Sequence, residues 1–341
     1  MHKVDIRTLR RLLLTRDEVI SAGRTVAQVR SDLAERRLMR VRRGWCIAEA
    51  EWASLWPESR HLAHVVAVND SAQTRPVFAL TSAAAIQGLA LYRVRVERVH
   101  TVHPDAARRS NGDIVRHRGH VDDADIVDVD GILCTSVERT VYDLARLTSA
   151  EVALVGIDTA LGRIGGDPRR YDERAASEWL TGMGERIAAG GAARGIRHAR
   201  TLISIADGRS QQPLEITTKL QLRRLGFAQP SLQVPVPDPR GGRYWMDIGL
   251  DDVNAFYECD GETKYTDEAM RSGRPLEEVL LAEKQREDWV RGTTGRRVLR
   301  GGSRHSASPD ALAARLQSFG VAIPDRRERL LIPRRPLTYG Q

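Results

Sequence analysis

Hydrophobic and polar side chains alternate along residues 244–265, YWMDIGLDDVNAFYECDGETKY. Two alternating runs joined by a short polar step are typical of a β-hairpin. The connecting segment is Asp251-Asp252, which predicts a two-residue turn. In that register Leu250 faces Val253, and Asp247 faces Phe256.

The alternation also sorts the hairpin side chains onto two faces. One face is expected to carry the apolar or aromatic residues Met246, Ile248, Ala255 and Tyr257. The other is expected to carry the carboxylates of Asp247, Glu258 and Asp260, with Trp245 and Phe256 beside them.

Diagonal neighbours on a hairpin lie roughly 7–8 Å apart, which allows carboxylates to converge on one hard divalent cation. Lys264 follows the acids, and acids beside a cationic side chain are what metal-assisted phosphodiester cleavage needs. The alternative is a set of polar hairpin positions facing solvent. Covering several carboxylates without a cation is costly, which favours the metal hypothesis.

The first 47 residues show a different pattern, with apolar residues at helical spacing. Thr15-Arg-Asp-Glu18 and Thr25-Val-Ala-Gln28 are capping-box signals that open two helices after an initial one. The run LMRVRRGWCI alternates and predicts one basic strand. Three helices and a basic strand predict a winged helix-turn-helix that contacts double-stranded DNA. The arginines expected to contact DNA are Arg30, Arg37, Arg40, Arg42 and Arg43; an ordinary solvated basic face is the alternative.

Residues 60–165 mix helical and strand patterns, including the strand-to-helix run VFALTSAAAIQGLAL. Four histidines stand here at His100, His103, His117 and His120. Their spacing lacks the cysteine or carboxylate cluster of a metal site, so surface or turn histidines are the favoured interpretation. Gly-rich loops and two helices then predict a connector.

Pro213-Leu-Glu215 opens a helix, because proline is favoured at the first helical position. Beyond it the patterns predict the order α-β-β-β-loop-α-β-α. The later helix is LEEVLLAEKQREDWVR, and the strand RRVLR follows it. This order predicts a mixed sheet with helices packed against it.

Composition adds a class of partner to this picture. The chain has 341 residues, 41% hydrophobic and 29% charged, with a net charge of +8. The first 47 residues hold twelve Lys/Arg and five Asp/Glu, so +7 of that charge is found there, which favours nucleic acid. Three scattered cysteines, an N-terminus without an apolar core and the lack of a long apolar run predict a cytoplasmic protein without a membrane partner.

The N-terminal pattern resembles the winged-helix domain of AbiEi-family antitoxins of type IV toxin–antitoxin systems. LLTRDEVISAG, the basic helix to Arg37 and RLMRVRRGWCIA carry the resemblance. Ser82-Ala-Ala-Ala, Gly88-Leu and Thr135-Ser-x-x-Arg139-Thr extend it into the middle region. The resemblance implies DNA binding as an autoregulating repressor and a cognate toxin as partner.

The C-terminal pattern resembles the PD-(D/E)XK nuclease superfamily, in the branch allied to very-short-patch repair endonucleases. PLE, MDIG, YECDGETKY, AEKQRED and RRVLR carry the resemblance, over roughly residues 210–320. It implies that Asp247, Glu258 and Glu215 hold Mg²⁺. The superfamily's lysine falls at position 260, where this chain has Asp260. Lys264 is the first substitute and Lys284, on the later helix, the second.

These inferences predict an α+β multidomain protein. The expected parts are a DNA-binding winged helix at 1–50, an AbiEi-like α/β domain at 51–165, a helical connector at 166–209, a PD-(D/E)XK-like domain at 210–322 and a tail at 323–341. The predicted function is DNA binding with Mg²⁺-dependent endonuclease activity. The alternative is a non-catalytic antitoxin and autorepressor with a degenerate nuclease fold. The sequence leaves the oligomeric state open.

Overall fold

The protein is an α+β protein that divides into two compact units, Met1–Arg146 and Leu147–Gln341. A computed structural model describes residues 4–93, 98–104, 112–260 and 276–324. Over these residues the chain forms thirteen α-helices and three β-sheets. Within the same ranges no helix combines the length and apolar character needed to cross a membrane.

The first unit opens with short helices and a small sheet. The elements are α1 (Ile6–Leu12), β1 (Leu14–Thr15), α2 (Arg16–Ser21), α3 (Val26–Ala34), β2 (Leu38–Arg42) and β3 (Trp45–Ala48). The structure confirms both capping boxes: Thr15 caps α2 with Glu18, and Thr25 caps α3 with Gln28. Val19, Val29 and Cys46 form the centre of a small core.

The basic segment after α3 is a hairpin, and the prediction of one continuous strand is wrong. β2 and β3 pair antiparallel, and β1 adds to the outer side of β3. Arg43-Gly44 makes the turn, with Gly44 at a φ of +83° that favours glycine. The turn places Arg43 at the tip of the hairpin.

The rest of the first unit is a five-stranded sheet with helices. Its elements are α4 (Glu49–Ser54), α5 (Pro57–Asp70), β4 (Val77–Phe78), α6 (Leu80–Ile86), β5 (Val99–His103), β6 (Ile114–Arg118), β7 (Ile126–Val129), β8 (Ile132–Thr135) and α7 (Val137–Leu147). The strand order is β6-β5-β4-β8-β7, with mixed pairing. The predicted strand-to-helix steps at 77–86 and 132–147 are confirmed.

The second unit begins with four helices: α8 (Ala150–Gly165), α9 (Glu173–Ala189), α10 (Ile196–Ser204) and α11 (Pro213–Leu225). Two ion pairs join α8 to α11: Asp158 with Lys219, both fully buried, and Glu151 with Arg224. These contacts place α8 in the compact unit that contains the C-terminal sheet. The division of the chain into five parts remains a prediction.

The C-terminal sheet has the strand order β12-β11-β10-β9. Its elements are β9 (Ser231–Pro237), β10 (Arg243–Leu250), β11 (Ala255–Cys259), α12 (Leu276–Thr294), β12 (Arg297–Gly301) and α13 (Pro309–Ser318). β11 and β12 are parallel, and the other pairs are antiparallel. The predicted order of elements after Pro213 is confirmed. One face packs on α11 and α13, and the other packs on Val290 of α12.

The register of the β10–β11 hairpin differs from the prediction. Leu250 pairs with Ala255, not Val253, so four residues connect the strands. Asp251–Val253 form a 3₁₀ turn, and Asn254 adopts the left-handed conformation with φ +48°. The shift is two residues, so it moves Asp247 from opposite Phe256 to opposite Glu258 without changing its face.

β10 also changes sides at Asp247. Met246 packs with Phe256 and Val298, whereas Ile248 packs with Tyr257 on the other face. Opposite Asp247, Gln233 of β9 has a φ of +48°, which breaks the regular pleat. The expectation that Met246 and Ile248 share a face is therefore wrong, because a local backbone kink overrides the alternation.

Candidate functional site

Asp247 and Glu258 meet at the centre of the C-terminal sheet. Ile248 pairs with Tyr257, and one further step along the ladder sets Asp247 opposite Glu258. Oδ2 of Asp247 accepts a hydrogen bond of 2.8 Å from the backbone N–H of Cys259. The Asp247 carboxylate is thereby held against β11, one residue from Glu258.

Glu258 is a buried carboxylate, with 5% of its surface exposed. Burial and the negative charge of Asp247 raise its pKa, although Arg286, Arg300 and the nearby backbone N–H of Asp247 act in the opposite direction. Oε2 accepts a hydrogen bond of 2.9 Å from Nη2 of Arg286. Oε1 is buried and has no hydrogen-bond partner among the described residues.

The orphaned oxygen is significant because buried polar atoms in proteins are almost always partnered. A buried carboxylate oxygen without a hydrogen-bond donor fits a place for a cation. Carboxylate oxygens are the hard ligands that Mg²⁺ prefers. The Asp247–Glu258 pair can therefore offer two carboxylates to such an ion.

Glu215 accepts hydrogen bonds from two residues outside the β10–β11 hairpin. It lies in the first turn of α11, is 4% exposed, and its Oε2 accepts bonds from the backbone N–H of Gln211 at 2.8 Å and from Nε2 of Gln233 at 3.3 Å. Over the described ranges, no group of three or more His, Cys, Asp or Glu side chains is arranged to hold a metal ion. The structure thus brings Asp247 and Glu258 together and does not complete a three-carboxylate site with Glu215.

The negative charges of all three acids act on the thiol of Cys259. Burial raises its pKa well above the ordinary value, and the negative charges of Asp247, Glu215 and Glu258 add to the effect. Its Sγ lies 3.5 Å from Oγ1 of Thr218. Glu215 therefore lies close enough to the pair to act on the same thiol.

Asp260, which stands where the resemblance places lysine, contacts Arg300 at 3.3 Å. Arg300 also binds Glu283 at 2.7 Å and Glu287 at 2.9 Å. Burial lowers the pKa of Arg300, but these three acids more than compensate and raise it overall. Asp260 is therefore held in an ion-pair network centred on one guanidinium.

Of the two candidate lysines, the structure describes one. Lys264 lies outside the described residues. Lys284 is on α12 and, with Asp260 and Arg300, lines a cleft of about 410 Å³. Within the described part of the chain it has no hydrogen bond to Asp247 or Glu258.

Arg286 and Arg300 were not among the predicted site residues. A signal for Arg286 exists: it stands four residues before Val290, so both fall on one face of α12. Val290 is fully buried against the sheet, which turns Arg286 toward the sheet as well. Lys284 is two residues away and points to another side of the helix. For Arg300 the signal is its place beside Glu258 in the β11–β12 pairing.

A second candidate site lies in the first unit, between α3 and the β2–β3 hairpin. Arg30, Arg40 and Arg43 are exposed, and none has an ion-pair partner in the described ranges. They border a cavity of about 430 Å³ together with Arg16, which the sequence did not single out. Val26, Val29, Leu33, Trp45 and Cys46 supply its apolar lining.

Arg37 and Arg42 differ from these arginines because each already has internal partners. Arg37 lies beyond the end of α3 and binds Asp32 and Glu35. Arg42 is partly buried: its Nε lies 3.1 Å from Asp113, and its Nη1 donates to the carbonyl of Ala67 at 3.2 Å. The five arginines expected to contact DNA thus separate into three unpaired and two paired side chains.

The histidines are not all surface residues. His100 on β5 and His117 on β6 stack with ring centroids 5.1 Å apart, and Nδ1 of His100 lies 2.8 Å from Nε2 of His117. Burial lowers the pKa of His100 to about 3 and that of His117 to about 4. The expectation of surface or turn positions is wrong for this pair, because neighbouring parallel strands bring the rings together.

No protein-family model matches this chain, and no curated protein matches it.

Proposed function

We propose that this protein is a DNA-binding, Mg²⁺-dependent endonuclease. In this proposal the first unit begins with a winged helix, and the C-terminal sheet with its helices is a PD-(D/E)XK-like nuclease fold. The observation that carries the proposal is the buried carboxylate of Glu258, whose Oε1 lacks a hydrogen-bond partner among the described residues while Asp247 stands opposite.

Asp247 and Glu258 would hold the ion. When bound, Mg²⁺ would stabilise the negative charge that develops on the phosphoryl oxygens and favour ionisation of an attacking water. The backbone N–H of Cys259 fixes the Asp247 carboxylate so that it stays beside Glu258. Lys284 lines the cleft with Asp260. Of the two candidate lysines it is the one that the structure describes, and it would take the role that the resemblance gives to position 260.

The first test is cleavage and metal binding by the Asp247→Asn and Glu258→Gln proteins. We expect the wild-type protein to nick duplex DNA only with Mg²⁺ or Mn²⁺. Each substitution should lower the rate by about 100-fold or more, because it removes charge that acts on the transition state. Titration calorimetry should show that the affinity for Mn²⁺ falls by a similar factor.

The control is Glu278→Gln, which removes an exposed carboxylate from α12 and should change neither quantity. A wild-type protein that neither cleaves DNA nor binds Mn²⁺ more tightly than the two variants would exclude the nuclease proposal.

The second candidate is a non-catalytic DNA-binding regulator, such as an antitoxin that represses its own promoter. It is favoured by the ion pair that Arg286 makes with Glu258 and by the lack of a three-ligand metal group in the described ranges. In that case the acid variants would bind DNA like the wild type, and none of the proteins would cleave it. Measuring both properties on the same samples distinguishes the two candidates.

A further inference from the structure

We infer that Arg286 is a positioning residue for the acidic site. It holds Oε2 of Glu258 so that Oε1 remains available to a divalent cation. This inference rests on the proposed function, and it assigns the supporting role in the site to a residue on α12.

The sheet contacts of α12 fix where Arg286 can reach. Val290 is fully buried against Phe256 and Val298. Nε1 of Trp289 donates a 2.8 Å hydrogen bond to the carbonyl of Pro237 on β9. These two anchors hold the helix across the sheet, and Arg286 lies one turn before them on the face of Val290.

The contact with Glu258 is one-sided. Nη2 of Arg286 lies 2.9 Å from Oε2, while Oε1 has no hydrogen bond from the described residues. A guanidinium could bind both oxygens of a carboxylate through two parallel hydrogen bonds. A contact to one oxygen fixes the rotation of the carboxylate and leaves the other oxygen for another ligand. Such supporting contacts typically tune metal affinity.

The neighbouring cationic side chains, Arg300 and Lys284, have other surroundings than Arg286. Arg300 is occupied by Asp260, Glu283 and Glu287, and Lys284 faces the cleft on another side of α12. Arg286 is therefore the side chain of α12 that makes an ion pair with Glu258.

A competing interpretation makes Arg286 a replacement for the metal ion. The two interpretations predict opposite effects when the guanidinium is removed. A positioning residue is needed for tight binding of the cation, so its loss weakens the affinity. A replacement competes with the cation, so its loss strengthens the affinity.

The experiment measures Mn²⁺ affinity by calorimetry, and single-turnover cleavage of duplex DNA, for Arg286→Gln, Arg286→Lys and Arg291→Gln. Arg291 is the matched control, because it lies on the same helix, is half exposed and pairs with Glu287. We expect Arg286→Gln to weaken Mn²⁺ binding by about 10- to 100-fold. Arg286→Lys should recover part of the loss, since a lysine can still donate to Oε2, and Arg291→Gln should match the wild type.

Unchanged or tighter Mn²⁺ binding by the folded Arg286→Gln protein overturns the inference while the proposed function stands. If that protein fails to fold, the Arg286→Met protein decides, because it keeps the apolar stem and removes the donor to Oε2: Mn²⁺ affinity equal to or above that of the wild type overturns the inference, and a loss of affinity supports it. If the wild type binds Mn²⁺ no better than Glu258→Gln, the proposed function falls as well, which separates the two failures.

Discussion

The stacked pair of His100 and His117 shows how one contact changes the chemistry of two residues. The rings lie 14° from parallel, with one nitrogen of each at hydrogen-bond distance. A neutral pair can share one N–H between them, whereas protonation of both rings would place two positive charges side by side. Burial first, and the neighbouring ring for His100, therefore favour the neutral forms.

This pair predicts a loss of stability in mild acid. The pKa of an unfolded histidine is near 6.5, and the folded values are about 3 and about 4. Below pH 6.5 the unfolded chain therefore binds more protons, so the stabilisation present above pH 6.5 declines as the pH falls toward 4. Replacing His117 by Gln should reduce this loss by about 2 kcal/mol between pH 7 and 4.5.

The measurement is the urea midpoint of the wild type and His117→Gln as a function of pH. His120 is the control, since its side chain is 81% exposed, and His120→Gln should follow the wild-type curve. Parallel curves for wild type and His117→Gln would contradict the prediction.

Among the elements, the β10–β11 hairpin depends on a left-handed residue. Asn254 has φ +48° and ψ +54°, a conformation that costs most side chains about 1 kcal/mol or more and glycine almost nothing. Asn254→Ala should therefore lower the free energy of unfolding by about 1 kcal/mol relative to Asn254→Gly. Both variants lose the 3.3 Å hydrogen bond from Asn254 Nδ2 to the carbonyl of Gly295, so the comparison isolates the backbone effect. Equal urea midpoints for the two variants would contradict it.

The sequence predicted elements well wherever the signal is local. The capping boxes at Thr15 and Thr25 and the proline that opens α11 lie within one helical turn of what they specify. The predicted register of the hairpin is wrong because its turn residues bind partners that are distant in the sequence. Asp252 accepts from the backbone N–H of Ala228, and Asp251 pairs with Arg296. No pattern within the hairpin reports those contacts.

The candidate acidic site was predictable in part for the same reason. Alternation placed Asp247 and Glu258 on one face, and a two-residue error in register preserves the face. The kink at Gln233 and the reach of Arg286 from α12 depend on packing between elements far apart in the chain. Likewise, the sequence shows how many arginines lie near α3, but it does not show that Arg37 is paired with Asp32.

For the whole molecule, the uneven charge is the feature most relevant to the proposed binding of DNA. The first 47 residues contain +7 of the +8 net charge. Pairing reduces what is available to a partner, because Arg37 and Arg42 already bind carboxylates of the first unit. In the described ranges Arg16, Arg30, Arg40 and Arg43 remain unpaired and line one cavity. The DNA-binding proposal therefore depends on a smaller set of arginines than the charge count indicates.

This distinction gives a prediction for the salt dependence of DNA binding by the full chain. Each arginine that neutralises a phosphate should contribute about 0.9 to the slope of log affinity against log salt. Arg30→Gln, Arg40→Gln and Arg43→Gln should each flatten the slope by about that amount, measured by fluorescence anisotropy with a labelled duplex. Arg37→Gln is the matched control: it removes the same charge from the same segment but leaves the slope unchanged, because its guanidinium is bound to Asp32 and Glu35. Equal flattening in Arg37→Gln and Arg30→Gln would show that net charge, and not the unpaired arginines, governs binding.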